Sequence, residues 1–181
     1  TPHLFSSAAS DVYKRQVWAI LGSLIIVFFY ILLRFQKWQF SLGAVSAVFH
    51  DVLIVLGIFS LTYKIMPFNM EINQAFIAAL LTVIGYSLND TVVVFDRIRE
   101  FFKIHSSWDS ETTVNTALNS TLSRTLNTSL TTLIVLIAIF IFGGESIRGF
   151  MFALIIGVMV GTYSSVFIAT PIMFDSYKNK N

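Results

Sequence analysis

Residues 74–95 read QAFIAALLTVIGYSLNDTVVVF, a stretch of 22 mostly apolar residues that contains a single acidic side chain, Asp90. A transmembrane α-helix needs about 20 consecutive, predominantly apolar residues. The stretch therefore predicts a helix that crosses a membrane. Further windows of the same character lie on either side of it, at about 17–35, 41–63, 122–142 and 148–174. We expect an all-α polytopic membrane protein, with a five-transmembrane-helix bundle over residues 17–175.

The composition agrees with a membrane protein. Of the 181 residues, 55% are hydrophobic and 12% are charged, whereas soluble domains carry about 25% charged residues. The formal net charge is only +2, which does not indicate a nucleic-acid-binding surface. The chain has no cysteine, so disulfides, thiolate metal sites and cysteine nucleophiles are excluded.

Three segments lie outside the predicted spans. Residues 1–16, TPHLFSSAASDVYKRQ, are polar and without periodicity; we interpret them as a non-native or disordered leader, with a short natural approach to the membrane as the alternative. Residues 96–121 are polar and charged, and Asp109 is a candidate helix cap within them. We predict an amphipathic, interfacial segment there, and a tail over residues 176–181.

The distribution of basic residues between the loops predicts the orientation. Eight lie on one side of the membrane, namely Arg34, Lys37, Arg97, Arg99, Lys103, Arg124, Lys178 and Lys180. The opposite loops hold Lys64 and Arg148, and counting the leader adds only Lys14 and Arg15. Because basic residues favour the cytoplasmic side, we expect the C-terminus to be cytoplasmic.

Two predicted spans carry polar stripes. On the third, residues spaced by four lie on one helix face: Gln74, Ala78, Thr82, Tyr86 and Asp90. On the fourth, the stripe comprises Ser120, Thr121, Arg124, Asn127, Thr128 and Thr131. Charged groups at membrane depth cost about 2.5–3.5 kcal/mol and are functional candidates by default. We hypothesise a wet half-cavity between the stripes, closed by the apolar residues 133–142.

Asp90 and Arg124 have two interpretations. The first is a static ion pair, with the neighbouring hydroxyls bonded to their own helix. The second is a proton path, in which Asp90 is the carrier because a guanidinium does not deprotonate in proteins. A nearby Arg124 would keep Asp90 ionised, and separation of the two would favour the protonated acid. A helix movement would then couple to proton uptake or release.

Other polar and small residues are candidates for a secondary relay or for helix packing: His50, Asp51, Asn89, Asn127 and Thr128. For His50 and Asp51, near the middle of the second span, a packing role is the preferred interpretation. The fifth span has small residues every fourth position, including the GxxxG of Gly157 and Gly161. Such stripes allow helices to approach closely in a membrane.

Residues 85–100, GYSLNDTVVVFDRIRE, resemble the signature of the SecF members of the SecD/SecF family of bacterial export proteins. The segments FHDVLIVLGIFSL, SRTLNTSLTTL and FGGESIRGF match the same family in the same order. The resemblance covers residues 17–175, and it implies the C-terminal, five-helix half of an RND-type membrane domain. A complete SecF also has an earlier helix and a periplasmic domain, which this chain is expected to lack.

The resemblance implies a subunit that uses the proton-motive force to promote preprotein translocation across the bacterial plasma membrane. Its implied partners are SecD, separate or fused, the SecYEG channel, exported preproteins and the lipid bilayer. By motif position, Asp90 and Arg124 correspond to charged residues implicated in proton movement, together with an aspartate of SecD. Protons are the implied coupling ion, with no cofactor or metal. The chain has no P-loop, so we expect no ATPase and no enzyme.

Two alternatives remain open. One is half of another proton-coupled RND-type transporter, exporting lipids or small molecules. The other is a structural membrane scaffold whose charges only hold helices together. Only the specificity of GYSLNDTVVVFDRIRE separates the first alternative from SecF. Neutralisation of Asp90 distinguishes the second, because a scaffold would lose assembly or stability whereas a proton-coupled subunit would assemble and lose its force-dependent step.

Overall fold

The computed structural model describes the backbone of residues 2–178 and the side chains of residues 18–178. Every regular element in this part of the chain is helical. The elements are α1 (Pro2–Phe35), α2 (Trp38–Thr62), α3 (Gln74–Ile104), α4 (Ser110–Phe142), α5 (Glu145–Ser164), a π-helical segment (Ser165–Ala169) and α6 (Thr170–Lys178). The side chains of the leader, residues 1–16, and the last residues of the tail lie outside the described part.

Five helical runs are long and apolar enough to cross a membrane, which confirms the predicted five-helix bundle. The fifth run, Glu145–Lys178, joins α5, the π-helical segment and α6. Helices α2, α3 and α5 pack against one another in the centre, and α1 and α4 lie outside them. Only 11% of the most apolar window of α4 is buried, compared with 44% in α2 and in α3. One broad face of α4 is therefore open.

Small residues set the distance between the central helices. Gly157 and Gly161 of α5 face α3, where a Cβ added to Gly157 would lie 2.9 Å from Val83 Cβ and closer to both Val83 methyl groups. A Cβ on Gly161 would lie 3.0 Å from Ser87 Cβ. Because neither glycine has a side chain, the backbones of α3 and α5 can approach closely.

The apolar core has a cluster near each end of the bundle. At one end, Phe35, Phe40 and Phe95 of three helices stack and meet edge to face with ring centroids 5.0–6.0 Å apart. At the other end, Phe59 and Phe76 are packed 4.2 Å apart by their centroids. The buried polar residues that form the candidate site lie on the helices between these clusters.

In the structure, residues 96–121, which we predict to be an amphipathic interfacial segment, continue the helices on either side of a turn. The segment consists of the end of α3, a turn at 105–109 and the first turns of α4, and it does not form a separate element. Asp109 is the N-cap of α4, and its carboxylate accepts the Thr112 backbone N–H at 3.0 Å. Hydropathy marks only the part of a helix within the hydrocarbon region, so α3 and α4 continue beyond the windows that it identifies.

Candidate functional site

Asp90 lies inside the bundle, with only 4% of the residue exposed. Within residues 18–178, its one side-chain hydrogen-bond donor is Ser129 of α4, whose Oγ lies 3.4 Å from Asp90 Oδ2. A carboxylate is costly to bury without charge compensation or hydrogen bonds. Asp90 thus has one long hydrogen bond and no ion pair among the described residues, and the charge of Arg124 acts on it only from beyond ion-pair distance.

Ser129 connects Asp90 to two more hydroxyl groups. The Tyr86 hydroxyl lies 3.2 Å from Ser129 Oγ, and the Thr162 hydroxyl of α5 lies 2.6 Å from it. Thr162 also lies 2.7 Å from the Val158 carbonyl, so its single hydrogen has two competing acceptors. Because each hydroxyl both donates and accepts, the cluster forms a short chain of exchangeable protons across α3, α4 and α5.

Arg124 does not lie in this interior cluster. It is exposed on the open face of α4, as are Asn127, Thr128 and Thr131, and Asn89 of α3 is exposed as well. The Thr128 and Thr131 hydroxyls donate to carbonyls of their own helix, at 2.9–3.1 Å. Of the members of the polar stripe predicted on α4, only Thr121 is buried, and the other buried polar residues in this part of the helix are Thr125 and Ser129.

Asp90 and Arg124 do not form the static ion pair that was one interpretation of the sequence, since no N–O distance of 4.0 Å or less joins them. The two stripes also do not face each other as the predicted half-cavity requires, because most of the α4 stripe is exposed. Arg124 is exposed on α4, and the α4 residue that contacts Asp90 of α3 and Thr162 of α5 is Ser129. The α4 group that contacts Asp90 is the Ser129 hydroxyl.

Asp51 of α2 is the centre of a second buried cluster, and it is 0% exposed. Its Oδ2 accepts the Ser87 hydroxyl at 2.5 Å and the Ser164 hydroxyl at 2.7 Å. Its Oδ1 lies 3.2 Å from Nδ1 of the half-buried His50. The carboxylate thus joins α2, α3 and α5 at one point, and it has hydrogen-bond partners on both oxygens.

Sequence reasoning did not select four of the residues in these clusters: Ser87, Ser129, Thr162 and Ser164. A signal for one of them, Ser129, was present, because Thr125 and Ser129 follow Thr121 at intervals of four and define a second polar line on α4. Isolated serines such as Ser87 and Ser164 have no such pattern. Small hydroxyl residues in membrane helices commonly bond to their own backbone, so their role became evident only from packing.

The charges at the end of α3 form a separate, peripheral network. Arg34 of α1 lies 3.0 Å from Asp96 and Arg97 lies 2.7 Å from Glu100, all partly exposed. Within the part of the chain that the structure describes, no group of three or more His, Asp or Glu side chains is placed to hold a metal ion.

Five membrane-length helices with two carboxylates buried among hydroxyls define a multi-pass α-helical membrane protein with ionisable groups in its interior. Comparison with known proteins identifies the family. Residues 5–179 match the family described as "Protein export membrane protein SecD/SecF, C-terminal", and the chain belongs to it.

Relatives with high similarity are bacterial proteins named protein translocase subunit SecF. The chain is 57% identical to that of Rhodothermus marinus over 167 residues, which cover 92% of this chain and 54% of the relative. It is 44% identical to that of Petrotoga mobilis, over 96% of this chain and 55% of the relative. The chain therefore spans about half the length of these curated relatives.

A solved structure shows the same arrangement of helices. The crystal structure of SecDF in a super-membrane-facing form superposes with a TM-score of 0.81 at 40% sequence identity. The match covers 94% of this chain and 22% of that one. The similarity in both sequence and structure supports the all-α membrane bundle and agrees with the family assignment.

Proposed function

We propose that this chain is the membrane half of a bacterial Sec protein-export subunit that, with SecD, uses the proton-motive force to promote preprotein translocation. The observation that carries this proposal is the position of Asp90. It is a membrane-depth carboxylate that has, among the described residues, a single side-chain hydrogen bond of 3.4 Å and no ion pair, in a chain whose relatives are named protein translocase subunits.

In this proposal Asp90 is the proton carrier. Its hydrogen-bond donor among the described residues is the Ser129 hydroxyl, which lies next to the Tyr86 and Thr162 hydroxyls. Because each hydroxyl can both donate and accept a hydrogen bond, a proton can pass to or from the carboxyl while Asp90 stays in the bundle interior. Arg124 cannot carry the proton, and its role is to influence the charge of Asp90 when the two helices change position. The coupling ion is the proton, with no metal or organic cofactor and no enzymatic chemistry.

The partner SecD would cover the open face of α4. That face carries Arg124, Asn127 and Thr131 beside exposed apolar residues such as Leu126 and Leu130. An arginine at membrane depth faces a protein interior or an aqueous path, because lipid solvates it poorly. A helix from another subunit, carrying an acidic residue, would supply a close counter-charge, since Arg124 forms no ion pair among the described residues. SecYEG and the preprotein would contact the complete complex.

The orientation in the proposal follows from the basic residues. Arg34 and Lys37 lie in or near the α1–α2 turn, and Lys103 lies at the end of α3, so they are at the same end of the bundle as the C-terminus of α6. By the positive-inside tendency this end faces the cytoplasm. The protein would then be a multi-pass component of the bacterial plasma membrane with a cytoplasmic C-terminus.

The proposal is tested with the full-length subunit, its SecD partner and the translocation channel in proteoliposomes. Preprotein movement is measured for Asp90→Asn with and without a proton gradient. We expect normal assembly and loss of the gradient-dependent component. The matched control is Asp175→Asn, which removes an exposed carboxylate from α6 and should leave gradient dependence intact.

Two results would contradict the proposal. If Asp90→Asn retained the full gradient dependence, the carrier would have to lie elsewhere, with Asp51 as the next candidate. If the complex failed to assemble in Asp90→Asn but not in Asp175→Asn, Asp90 would have a structural role, as in a scaffold. The contacts of Asp51 with Ser87 and Ser164 support a packing role for that residue.

A further inference from the structure

A cleft opens at the end of the bundle where the α1–α2 turn meets the α3–α4 turn. Its volume is about 520 Å³, and its walls come from residues 35–37, Phe40, the end of α3, four residues at or beside the α3–α4 turn (His105, Ser106, Trp108 and Ser110) and Tyr177 of α6. Clefts of about 300–1,000 Å³ are the size that accommodates small ligands. This cleft is separate from the Asp90 and Asp51 clusters, and the proposed export function does not use it.

The lining of the cleft is positively charged. It contains Lys37, Arg99 and Lys103, and it contains no aspartate or glutamate. Within residues 18–178, neither lysine forms an ion pair. The Lys37 ammonium lies 4.7 Å from the ring centroid of Tyr177, a contact that leaves its hydrogen-bonding capacity available. Two ammonium groups therefore point to an anionic ligand.

The charged groups around the cleft do not cancel this charge. Arg99 lies 3.9 Å from Asp96 and donates to the Arg34 carbonyl at 3.0 Å. Asp96 is also 3.0 Å from the Arg34 guanidinium, so a single carboxylate is shared between two arginines. The nearby Asp109 carboxylate accepts the hydrogen bond of its own helix terminus. Among the described residues that line the cleft, a surplus of positive charge remains.

The depth of the cleft in the membrane agrees with a lipid head group. Arg99 and Lys103 follow Phe95, the end of the predicted apolar window, by four and eight residues. At about 1.5 Å per residue they lie about 6 Å and 12 Å beyond the end of the window, which is the head-group region. Trp108, 42% exposed, and Tyr177 line the same cleft, and such rings are enriched at this depth.

Gln36 adds an independent observation. It lines the cleft and has a φ of 57°, in the left-handed region where glycine is the usual residue after a helix. Its backbone N–H closes the end of α1 by donating to the Leu32 carbonyl at 2.8 Å. Non-glycine residues held in this conformation cluster at ligand-binding sites. A carboxamide here places another hydrogen-bond donor beside the two lysines.

We propose that this cleft binds the phosphate of an anionic phospholipid from the adjacent leaflet. Lys37, Lys103 and Arg99 contact the phosphate, and the neighbouring aromatic rings contact the glycerol and the first acyl carbons. Basic clefts between membrane helices are suited to such head groups. A zwitterionic lipid is disfavoured because the lining has no carboxylate for its ammonium group. The same phosphate chemistry is offered by free inorganic phosphate, and the experiment separates the two sources.

The test uses the full-length subunit in detergent and native mass spectrometry. Phosphatidylglycerol and phosphatidylcholine are added in separate titrations, and the ratio of their apparent dissociation constants is measured. The variant is Lys37→Gln/Lys103→Gln, whose sites are both exposed. The control is Lys64→Gln, which removes an exposed lysine at the opposite end of the bundle. A third titration adds inorganic phosphate in competition with phosphatidylglycerol.

We expect a preference for phosphatidylglycerol in the parent protein and in Lys64→Gln. The double variant should lose about fivefold in affinity for each lysine removed, because a basic residue near an anionic lipid contributes about 1 kcal/mol. Inorganic phosphate should not displace the lipid. The proposal is overturned if the double variant keeps its preference, or if phosphate displaces the lipid at comparable concentration, since the site would then be one for a free anion.

Discussion

Gly157 of α5 lies directly against Val83 of α3, so that a single added methyl group at position 157 would overlap the valine side chain. This contact brings together the two helices that contribute Thr162 and Tyr86 to the Asp90 cluster. The close approach of α3 and α5 therefore depends on the absence of a side chain at position 157, as it does at position 161.

Replacement of Gly157 by alanine should destabilise the bundle. The new Cβ would lie 2.9 Å from Val83 Cβ, and forcing additional carbon into a packed interior costs about 1–3 kcal/mol. We expect a lower midpoint of thermal unfolding. The midpoint is measured by far-UV circular dichroism of the full-length protein in detergent. The second substitution Val83→Ala should restore part of the loss.

Gly85→Ala is the matched control, because nothing lies within 4 Å of the Cβ that it would gain. It should leave the midpoint unchanged or raise it, since alanine is favoured over glycine in a helix by about 1 kcal/mol. Equal losses in Gly157→Ala and Gly85→Ala would show that the contact with Val83 is not what matters.

Asp51→Ala should destabilise the protein by about 1–3 kcal/mol, the cost of leaving a buried hydroxyl without a partner. Ser164 can turn to the Gly161 carbonyl at 3.2 Å, but Ser87 has no second acceptor among the described residues. Asp51→Ala/Ser87→Ala should therefore be more stable than Asp51→Ala alone, by the same unfolding measurement. If the double variant were the less stable of the two, the unpaired Ser87 hydroxyl would not be the cause of the lost stability in Asp51→Ala.

Ser129→Ala tests the hydroxyl between Asp90 and the rest of its cluster. If the proposed export function is correct, removal of this donor should reduce the gradient-driven rate of preprotein movement by about tenfold, less than the roughly 100-fold or more attributed to the proton-transfer group itself. Gradient-independent movement should be unchanged. Ser123→Ala, at an exposed position on the same helix, is the control, and similar losses in both variants would argue against a role for Ser129 at Asp90.

The cap at Asp109 predicts a pH dependence at the start of α4. Hydrogen bonds from the side chain and the backbone N–H of Thr112 lower the pKa of the Asp109 carboxyl below its ordinary value. A lowered pKa in the folded state means that the ionised cap stabilises α4 above the unfolded-state pKa, and that this stabilisation is lost as pH falls through the folded-state pKa.

Amide hydrogen exchange at Thr112 and Thr113 measures this effect. Asp109→Asn keeps an oxygen acceptor but cannot ionise, so protection in the parent should exceed that in the variant at neutral pH. The difference should disappear in acid. A difference that is constant with pH would mean that ionisation of Asp109 does not contribute to the cap.

The sequence was sufficient for the fold because hydropathy is a property of each window by itself. The five spans follow from it, as does the burial of Asp90. The pairing of faces is a different kind of information. Asn127 and Ser129 are two residues apart and so point to nearly opposite sides of α4, but a 3.6-residue period does not say which side meets α3. For the same reason Arg124 was predicted to line an internal cavity and lies instead on the open face.

The π-helical segment lets the two parts of the last membrane span, α5 and α6, direct their side chains independently. Residues Ser165–Ala169 interrupt the α-helix, and the Thr170 hydroxyl donates to the Ser165 carbonyl at 3.0 Å. One additional residue in a turn shifts the phase of everything after it by about 100°. Gly157 and Gly161 can thus face α3 while Met173 turns towards Gly43 of α2. A deletion of one residue here would preserve a continuous helix and yet misdirect its final turns, so this span is sensitive to its residue count as well as to its composition.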